Sequence, residues 1–159
     1  VTHDQNEALT FAQKVVVMLD GRVVQLGTPQ ELFERPEHRF VGYFIGSPGM
    51  NFLPCSRDGS AVRSEGTDIE LARPVPPGRI ELGIRPEFVE LELLPGEDTL
   101  PAQVARVEDL GNFKLVTARL GGHELKVKLA DGREVPAGTA HLRFPPQWTR
   151  LYADGRLVG

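Results

Sequence analysis

The hydrophobic pattern changes period several times in the first 48 residues. Asp4-Gln5-Asn6-Glu7 has capping-box spacing: Asp4 can accept from the exposed amides of a first helical turn and Glu7 can reach back. A short helix to about Ala12 is expected. Lys14–Leu19 is β-branched and apolar, which predicts a buried strand. Asp20-Gly21 is a two-residue hairpin turn, with a glycine able to take positive φ, and Arg22–Leu26 returns as the partner strand. Gly27 ends it. Thr28-Pro29-Gln30-Glu31 is a second capping box, with proline at the first helical position where no amide bond is lost. That helix must stop before Pro36. A further helix is predicted over about Glu37–Ile45, with Phe40, Val41, Phe44 and Ile45 on one side.

Gly46-Ser47-Pro48-Gly49 stacks helix breakers and marks the expected boundary between residues 1–48 and 49–159. Beyond it the period becomes two. Leu125, Val127 and Leu129 alternate with Glu124, Lys126 and Lys128, and Gly121-Gly122 joins this strand to Phe113–Leu120 as a tight hairpin. Ala140, Leu142 and Phe144 alternate with His141 and Arg143. Arg79–Ile84 and Phe88–Leu94 read as strands separated by Arg85-Pro86-Glu87, and shorter strands are expected near 51–57, 60–64 and 67–71 around turns such as Asp58-Gly59. Many short strands with Gly/Pro turns predict a mainly-β small barrel or sandwich behind a mixed α/β segment.

Composition narrows the classes. Glycine and proline together make 30 of 159 residues, turn-rich but below the range of about 25–30% that marks low complexity. Net charge is −4, and it is spread evenly: residues 1–48 carry 4 Lys/Arg against 6 Asp/Glu, the remainder 14 against 16. Neither part has the basic footprint of a nucleic-acid binder, and the 11 aromatic residues fall mostly at expected core positions. No apolar run approaches the roughly 18 residues of a spanning helix. The single cysteine, Cys55, can form no internal disulfide and fits a reducing compartment. The chain opens Val1-Thr2-His3-Asp4 without an initiator Met and is expected to be a piece of something longer.

Few residues carry candidate chemistry. His3 lies between a β-type lead-in and a capped helix, a place where an imidazole can meet an anion or a reacting phosphate; the local alternative is an exposed histidine in a capping segment. Cys55 has no histidine nearby in sequence and reads as a structural thiol. His38, His123 and His141 are isolated and lack helical metal-pair spacing. Trp148, Tyr152, Phe144 and Leu151 read as packing at a barrel end. Phe40, Tyr43 and Phe44 form an apolar cluster that closes the junction or, if exposed, meets a partner.

The string Val1-Thr2-His3-Asp4-Gln5-Asn6-Glu7-Ala8 resembles the switch-histidine segment V-T-H-D-Q-x-E-A of ABC transporter ATPases. Lys14–Leu19, Asp20-Gly21-Arg22 and Gln25-Leu26-Gly27-Thr28-Pro29 resemble the segments that follow it in that family. Phe40 to Phe52 resembles the end of the nucleotide-binding domain in the carbohydrate-uptake branch, which includes maltose and glycerol-3-phosphate importers. The β remainder, with Leu82-Gly83-Ile84-Arg85-Pro86-Glu87, Val107-Glu108-Asp109-Leu110-Gly111-Asn112 and Phe144-Pro145-Pro146, resembles that branch's OB-like, TOBE-type regulatory domain.

The resemblance implies a truncated α/β remnant of an ATPase domain over residues 1–48 and an OB-like regulatory domain over 49–159. It makes His3 the switch histidine, which in the family contacts the γ-phosphate of ATP and helps position the attacking water; Asp4 keeps only its capping role. It implies a second copy and the transmembrane permease subunits as partners, a small ligand or soluble regulator as a further one, and a cytoplasmic place on the inner face of the membrane. Cargo is expected among sugars or glycerol phosphates. ATP and Mg²⁺ belong to a full-length parent: no G-x-x-x-x-G-K-[ST], no apolar strand ending in Asp-Glu and no L-S-G-G-Q occurs in the 159 residues. The chain alone is therefore expected to be non-catalytic, with no metal site and no cofactor of its own. The competing reading is a small-ligand barrel for oxyanions or sugars, served by Arg79, Arg85 and amides near Gly83 or Gly111; Arg85 also reads simply as a turn residue.

Overall fold

The computed structural model describes residues 1–58, 61–64, 67–70 and 75–158. It begins with α1 (Gln5–Phe11), the hairpin β1 (Val15–Leu19) and β2 (Arg22–Gly27), then α2 (Pro29–Glu34) and α3 (Arg39–Phe44). Strands follow: β3 (Asn51–Asp58), β4 (Ala61–Ser64), β5 (Thr67–Glu70), β6 (Ile80–Ile84), β7 (Glu90–Glu92), β8 (Thr99–Asp109), β9 (Phe113–Leu120), β10 (His123–Ala130), β11 (Thr139–Arg143), β12 (Arg150–Ala153) and β13 (Arg156–Leu157). A 3₁₀ turn, Pro146–Trp148, precedes β12.

The helix starts are set by local chemistry. Thr28 and Glu31 close a full capping box, Thr28 Oγ1 accepting from the Glu31 amide at 3.2 Å and the Glu31 carboxylate from the Thr28 amide at 2.8 Å. Asp4 caps α1, accepting from the amides of Asn6 and Glu7, but the expected reciprocal half is missing. The Glu7 carboxylate accepts instead from the Thr2 hydroxyl, and Thr2 Oγ1 takes the Asp4 amide. The last helix is shorter than its apolar pattern predicts, because the His38 ring caps it: Nδ1 accepts from the Phe40 amide at 3.0 Å. In the β1–β2 turn Asp20 and Gly21 both take positive φ, +50° and +74°, as a primed hairpin turn requires.

A five-stranded sheet, in the order β10-β9-β8-β11-β7, curls around the main core, and a six-stranded sheet runs β13-β12-β6-β3-β4-β5. Leu125, Val127 and Leu129 of β10 point inward against Val116, Ala118 and Leu120 of β9, joined by Leu53, Leu82, Ile84, Leu91 and Leu142 from both sheets. Strand β6 is buried along its whole length, as befits a central strand covered on both faces. The hydrophobic pattern missed β8, along with the short β12 and β13. The first half of β8 pairs with β11 and its second half with β9, and a register shift between Val104 and Arg106 lets it turn between them. The expected strand over 88–94 shrinks to Glu90–Glu92. The Asp58-Gly59 turn and the ends of the 60–64 and 67–71 strands lie outside the described residues.

The two sheets are stitched at the β10 edge. The Asn51 amide donates to the Lys126 carbonyl and accepts from the Lys126 amide, both at 2.8 Å, copying a strand pair with one side chain. The Lys128 amide donates to the Pro86 carbonyl at 2.9 Å. An edge that would otherwise offer free ladder groups is thereby occupied. The alternating strands predicted a small barrel or sandwich, and the result is a small, curled arrangement consistent with the OB-like domain that the resemblance implies.

Candidate functional site

The most organised polar region is the junction between α2–α3 and the strands. A helix leaves its last carbonyls without intrahelical partners. Here side chains from three other elements supply them. Arg85, at the end of β6, donates from Nε to the Phe33 carbonyl at 2.8 Å, from Nη1 to the carbonyls of Gly42 (3.0 Å) and Ile45, and from Nη2 toward Leu32 at 3.5 Å. Arg150 of β12 donates from Nε and Nη2 to the Glu34 carbonyl at 3.4 and 3.2 Å. Gln25 of β2 donates to the Arg35 carbonyl and accepts from the Glu37 amide. The Tyr152 hydroxyl donates to the Pro36 carbonyl at 2.7 Å. Five consecutive carbonyls, Leu32 to Pro36, thus face donors from β2, β6 and β12.

Arg85 is 1% exposed. Burial lowers its pKa to about 10, against which the Glu87 carboxylate pulls upward, so it stays charged at neutral pH. Its guanidinium lies over the Phe33 ring at 4.2 Å, and the fixed fork suits several diverging carbonyls better than a lysine ammonium would. Phe33 meets Phe88 edge-on, and Phe88 stacks on Trp148 at 4.1 Å between centroids. Burial also pushes the Tyr152 phenol upward, keeping its proton available for Pro36.

A second polar knot lies at the start of β6, on the same face as Arg85. Glu81, buried, takes Arg39 of α3 and Arg79 at 3.1 Å each. Residues 37–39 run beside the chain's last strand: the Arg39 amide donates to Gly155, the Leu157 amide to Glu37, and His38 bridges Arg156. Burial, then Arg156 and Arg39, lower the His38 pKa and so favour the neutral ring that caps α3.

The anion-site expectation fails on these contacts. Arg79 is committed to Glu81 and Arg85 to backbone carbonyls. Gly83 sits mid-strand in β6 between Phe52 and Arg150, and a Cβ there would come within 2.9 Å of the Met50 sulfur, so its backbone is covered. The Gly111 amide donates to the Asp109 carboxylate at 3.0 Å, which puts negative charge where an anion would have to sit.

His3 is exposed in the lead-in to α1, held between Thr2 and Asp4, both engaged in capping the helix. Neither Arg85 nor the aromatic stack reaches it directly. Cys55 is half-buried and donates to the Leu53 carbonyl at 3.4 Å, as a structural thiol would. His123 opens β10 and His141 lies in β11, far apart in the sheet order. Phe40 stacks on Phe44 and packs on the small helical core, while Tyr43 stays 67% exposed. Among the described residues no group of three or more His, Cys, Asp or Glu could hold a metal ion, and no helix is long and apolar enough to cross a membrane. Gln25, Glu81 and Arg150 are the junction residues that sequence reasoning missed; nothing in their local pattern marks them.

The family described as the MalK OB fold domain matches residues 46–89, and the TOBE domain matches residues 82–151. The two overlap on Leu82–Val89, the stretch that holds Arg85. The chain carries a MalK-type OB fold and a TOBE domain. An uncharacterized ABC transporter ATP-binding protein of Sinorhizobium fredii is 44% identical over 145 residues, 87% of this chain and 38% of that protein. The sn-glycerol-3-phosphate import ATP-binding protein UgpC of Salmonella typhi is 41% identical over 98% of this chain and 45% of its own length. UgpC of Paraburkholderia xenovorans is 40% identical, again over 98% of this chain, and over 47% of its own. The chain thus spans less than half the length of these curated relatives. Both domain matches begin at or after Gly46, while the similarity to these relatives extends across the helical segment as well.

Proposed function

We propose that this chain is the regulatory and pairing part of the ATP-binding subunit of an importer for a sugar or a glycerol phosphate. The observation that carries the reading is the switch-histidine string Val1–Ala8 running in order into an OB-like barrel, in a chain 40–41% identical to subunits named for sn-glycerol-3-phosphate import. Residues 1–48 are read as the end of the nucleotide-binding domain and residues 49–159 as the regulatory domain. Support for the first assignment comes from the β1–β2 hairpin. Its two faces are both apolar: Val15 and Val17 are buried, while Val16, Met18, Val23 and Leu26 are each at least half exposed. A hairpin with two apolar faces belongs between two layers.

His3 is assigned the switch role. When ATP and Mg²⁺ are bound in the subunit they supply the phosphoryl group and the charge neutralisation that transfer requires. An exposed imidazole held by two capping neighbours fits one contact to the terminal phosphate, and the described residues offer no cluster of three or more His, Cys, Asp or Glu to hold Mg²⁺. The barrel would pair with the barrel of a second subunit and hold two ATPases together beneath their permease subunits on the cytoplasmic face. His3→Ala in the importer that contains this chain should abolish ATP-driven uptake in vesicles; near-normal uptake removes the switch assignment. Light scattering should show the purified subunit as a dimer, and a strict monomer at high concentration would remove the pairing role.

A further inference from the structure

His3 precedes a helix whose first residue, Gln5, is hydrogen-bonded to Gly46, next to a carbonyl held by Arg85 of the barrel. The Gln5 side chain, two residues after His3, clasps Gly46 from both sides: Oε1 accepts from the Gly46 amide at 2.7 Å and Nε2 donates to the Gly46 carbonyl at 3.4 Å. Arg85 holds the adjoining carbonyl of Ile45, together with those of Gly42 and Phe33. Gly46 has φ +105°, and a Cβ there would lie 2.8 Å from Arg85 Nη1. The position therefore accepts only glycine, for conformation and for space at once. Arg85 in turn directly follows β6, whose every residue is buried.

We propose that Gln5, Gly46 and Arg85 form a serial positioning link between the His3 segment and the regulatory barrel. The contacts are consecutive, and each end is anchored: Gln5 at the first residue of a capped helix, Arg85 just past a buried strand. A displacement of the barrel relative to α3 is carried by Arg85 to residues 45–46, and by Gln5 to the start of α1 and His3. Conversely, engagement of His3 with a phosphate biases the barrel. Gln5 and Arg85 touch no reacting atom in this scheme; they are positioning residues. The inference rests on the switch assignment of His3.

A physical link of this kind is established by coupling energies, not by spatial intermediacy. The test uses the importer containing this chain, with ATP as the probe, and combines steady-state ATPase kinetics with hydrogen exchange of residues 3–12. Gln5→Met keeps length and helix propensity while removing both bonds to Gly46. It should lower kcat about tenfold or more, with KM for ATP held within about twofold, because it misplaces a group used in the chemical step. Arg85→Met should produce the same split and also raise exchange across residues 3–12, which it does not touch. In the double variant the losses should fail to multiply, as expected for two substitutions in one series. Independent, multiplicative losses, or exchange changes confined to each substituted residue's own neighbourhood, overturn the link. If Arg85→Met does not fold, Gln5→Met still decides: unchanged kcat beside an inactive His3→Ala variant overturns the link while leaving the switch assignment standing. Normal kcat in His3→Ala itself overturns the switch assignment and the link with it.

Discussion

The helical segment and the strand region solve the problem of burial in different ways. In the barrel the apolar residues of β6, β9, β10 and β11 meet one another across a common core of fourteen buried residues, among those described. In the helical segment the core holds five: Val15, Val17, Leu32, Val41 and Ile45. Of the twelve large hydrophobic residues left exposed among those described, eight lie in residues 1–46 and four in the rest. The barrel is thus self-sufficient in apolar contacts. The helical segment leans on polar ones, the donors Arg85, Arg150 and Tyr152 that reach the carbonyls of residues 32–45 from β12 and from just past β6. A region with a small core and surplus apolar surface is held to its neighbour by buried hydrogen bonds, and these are costly to leave unmade.

Truncating one core leucine in each region is the harshest test of that contrast. Leu82→Ala, in the large core, should cost about 2–5 kcal/mol in chemical denaturation, because tightly packed neighbours cannot close the cavity. Leu32→Ala, fully buried in the small cluster, should fall at or below the bottom of that range. Equal costs would mean that the two regions pack as one rigid core, and the contrast would be lost.

The next effect isolates a polar tie. Tyr152→Phe removes only the hydroxyl that donates to Pro36, leaving the ring against Phe52. The Pro36 carbonyl loses that donor in a buried setting, so about 1–2 kcal/mol should disappear. A change below about 0.3 kcal/mol would show that the junction is held by packing instead.

How far the sequence reveals these features follows from the range of the interactions. The hairpins, both helix caps at Asp4 and Thr28, and the β9–β10 alternation depend on residues a few positions apart, so they are legible in order. Strand β8 is not: Ala102 and Ala105 blur its alternation, Pro101 argues against a strand, and its pairing switches partner midway. Arg85 is visible as part of a turn, but its acceptors lie 40 to 53 residues earlier, and the same arginine fits an anion site equally well on paper. His3 is legible through the string around it. Its tie through Gln5 to Gly46 spans 41 residues and leaves no local trace.

His38 offers a smaller and pH-dependent effect. It is a base whose folded pKa lies below its ordinary 6.5, lowered by burial and by Arg156 and Arg39, the charged groups that face it. The folded state therefore binds its proton less readily than the unfolded chain. The neutral ring's cap on α3 is complete above about pH 6.5 and is lost as pH falls through the lower folded value. His38→Asn keeps a capping acceptor that does not titrate, so stability between pH 7 and pH 5 should flatten by up to about 1 kcal/mol. A variant with the wild-type pH profile would show that the junction's acid sensitivity resides elsewhere.

The smallest expected effect bears most directly on the exposed hairpin. Met18 and Val23 are paired across β1–β2 on the outer face, 56% and 60% exposed. Met18→Glu should shift the denaturation midpoint of this chain by no more than about 0.5 kcal/mol, since a charge in water replaces an apolar side chain in water. In the import subunit proposed above, the same face would be covered by the remainder of the nucleotide-binding domain. There, a buried unpaired carboxylate should cost several kcal/mol or prevent assembly, read as lost soluble subunit or lost ATP-dependent uptake. Near-neutral behaviour in both contexts would mean that the face is solvent-exposed by design, and that residues 1–48 are not the end of a larger sheet. Strong destabilisation in this chain alone would mean that the hairpin already covers that face in solution, and the contrast between the two regions would narrow.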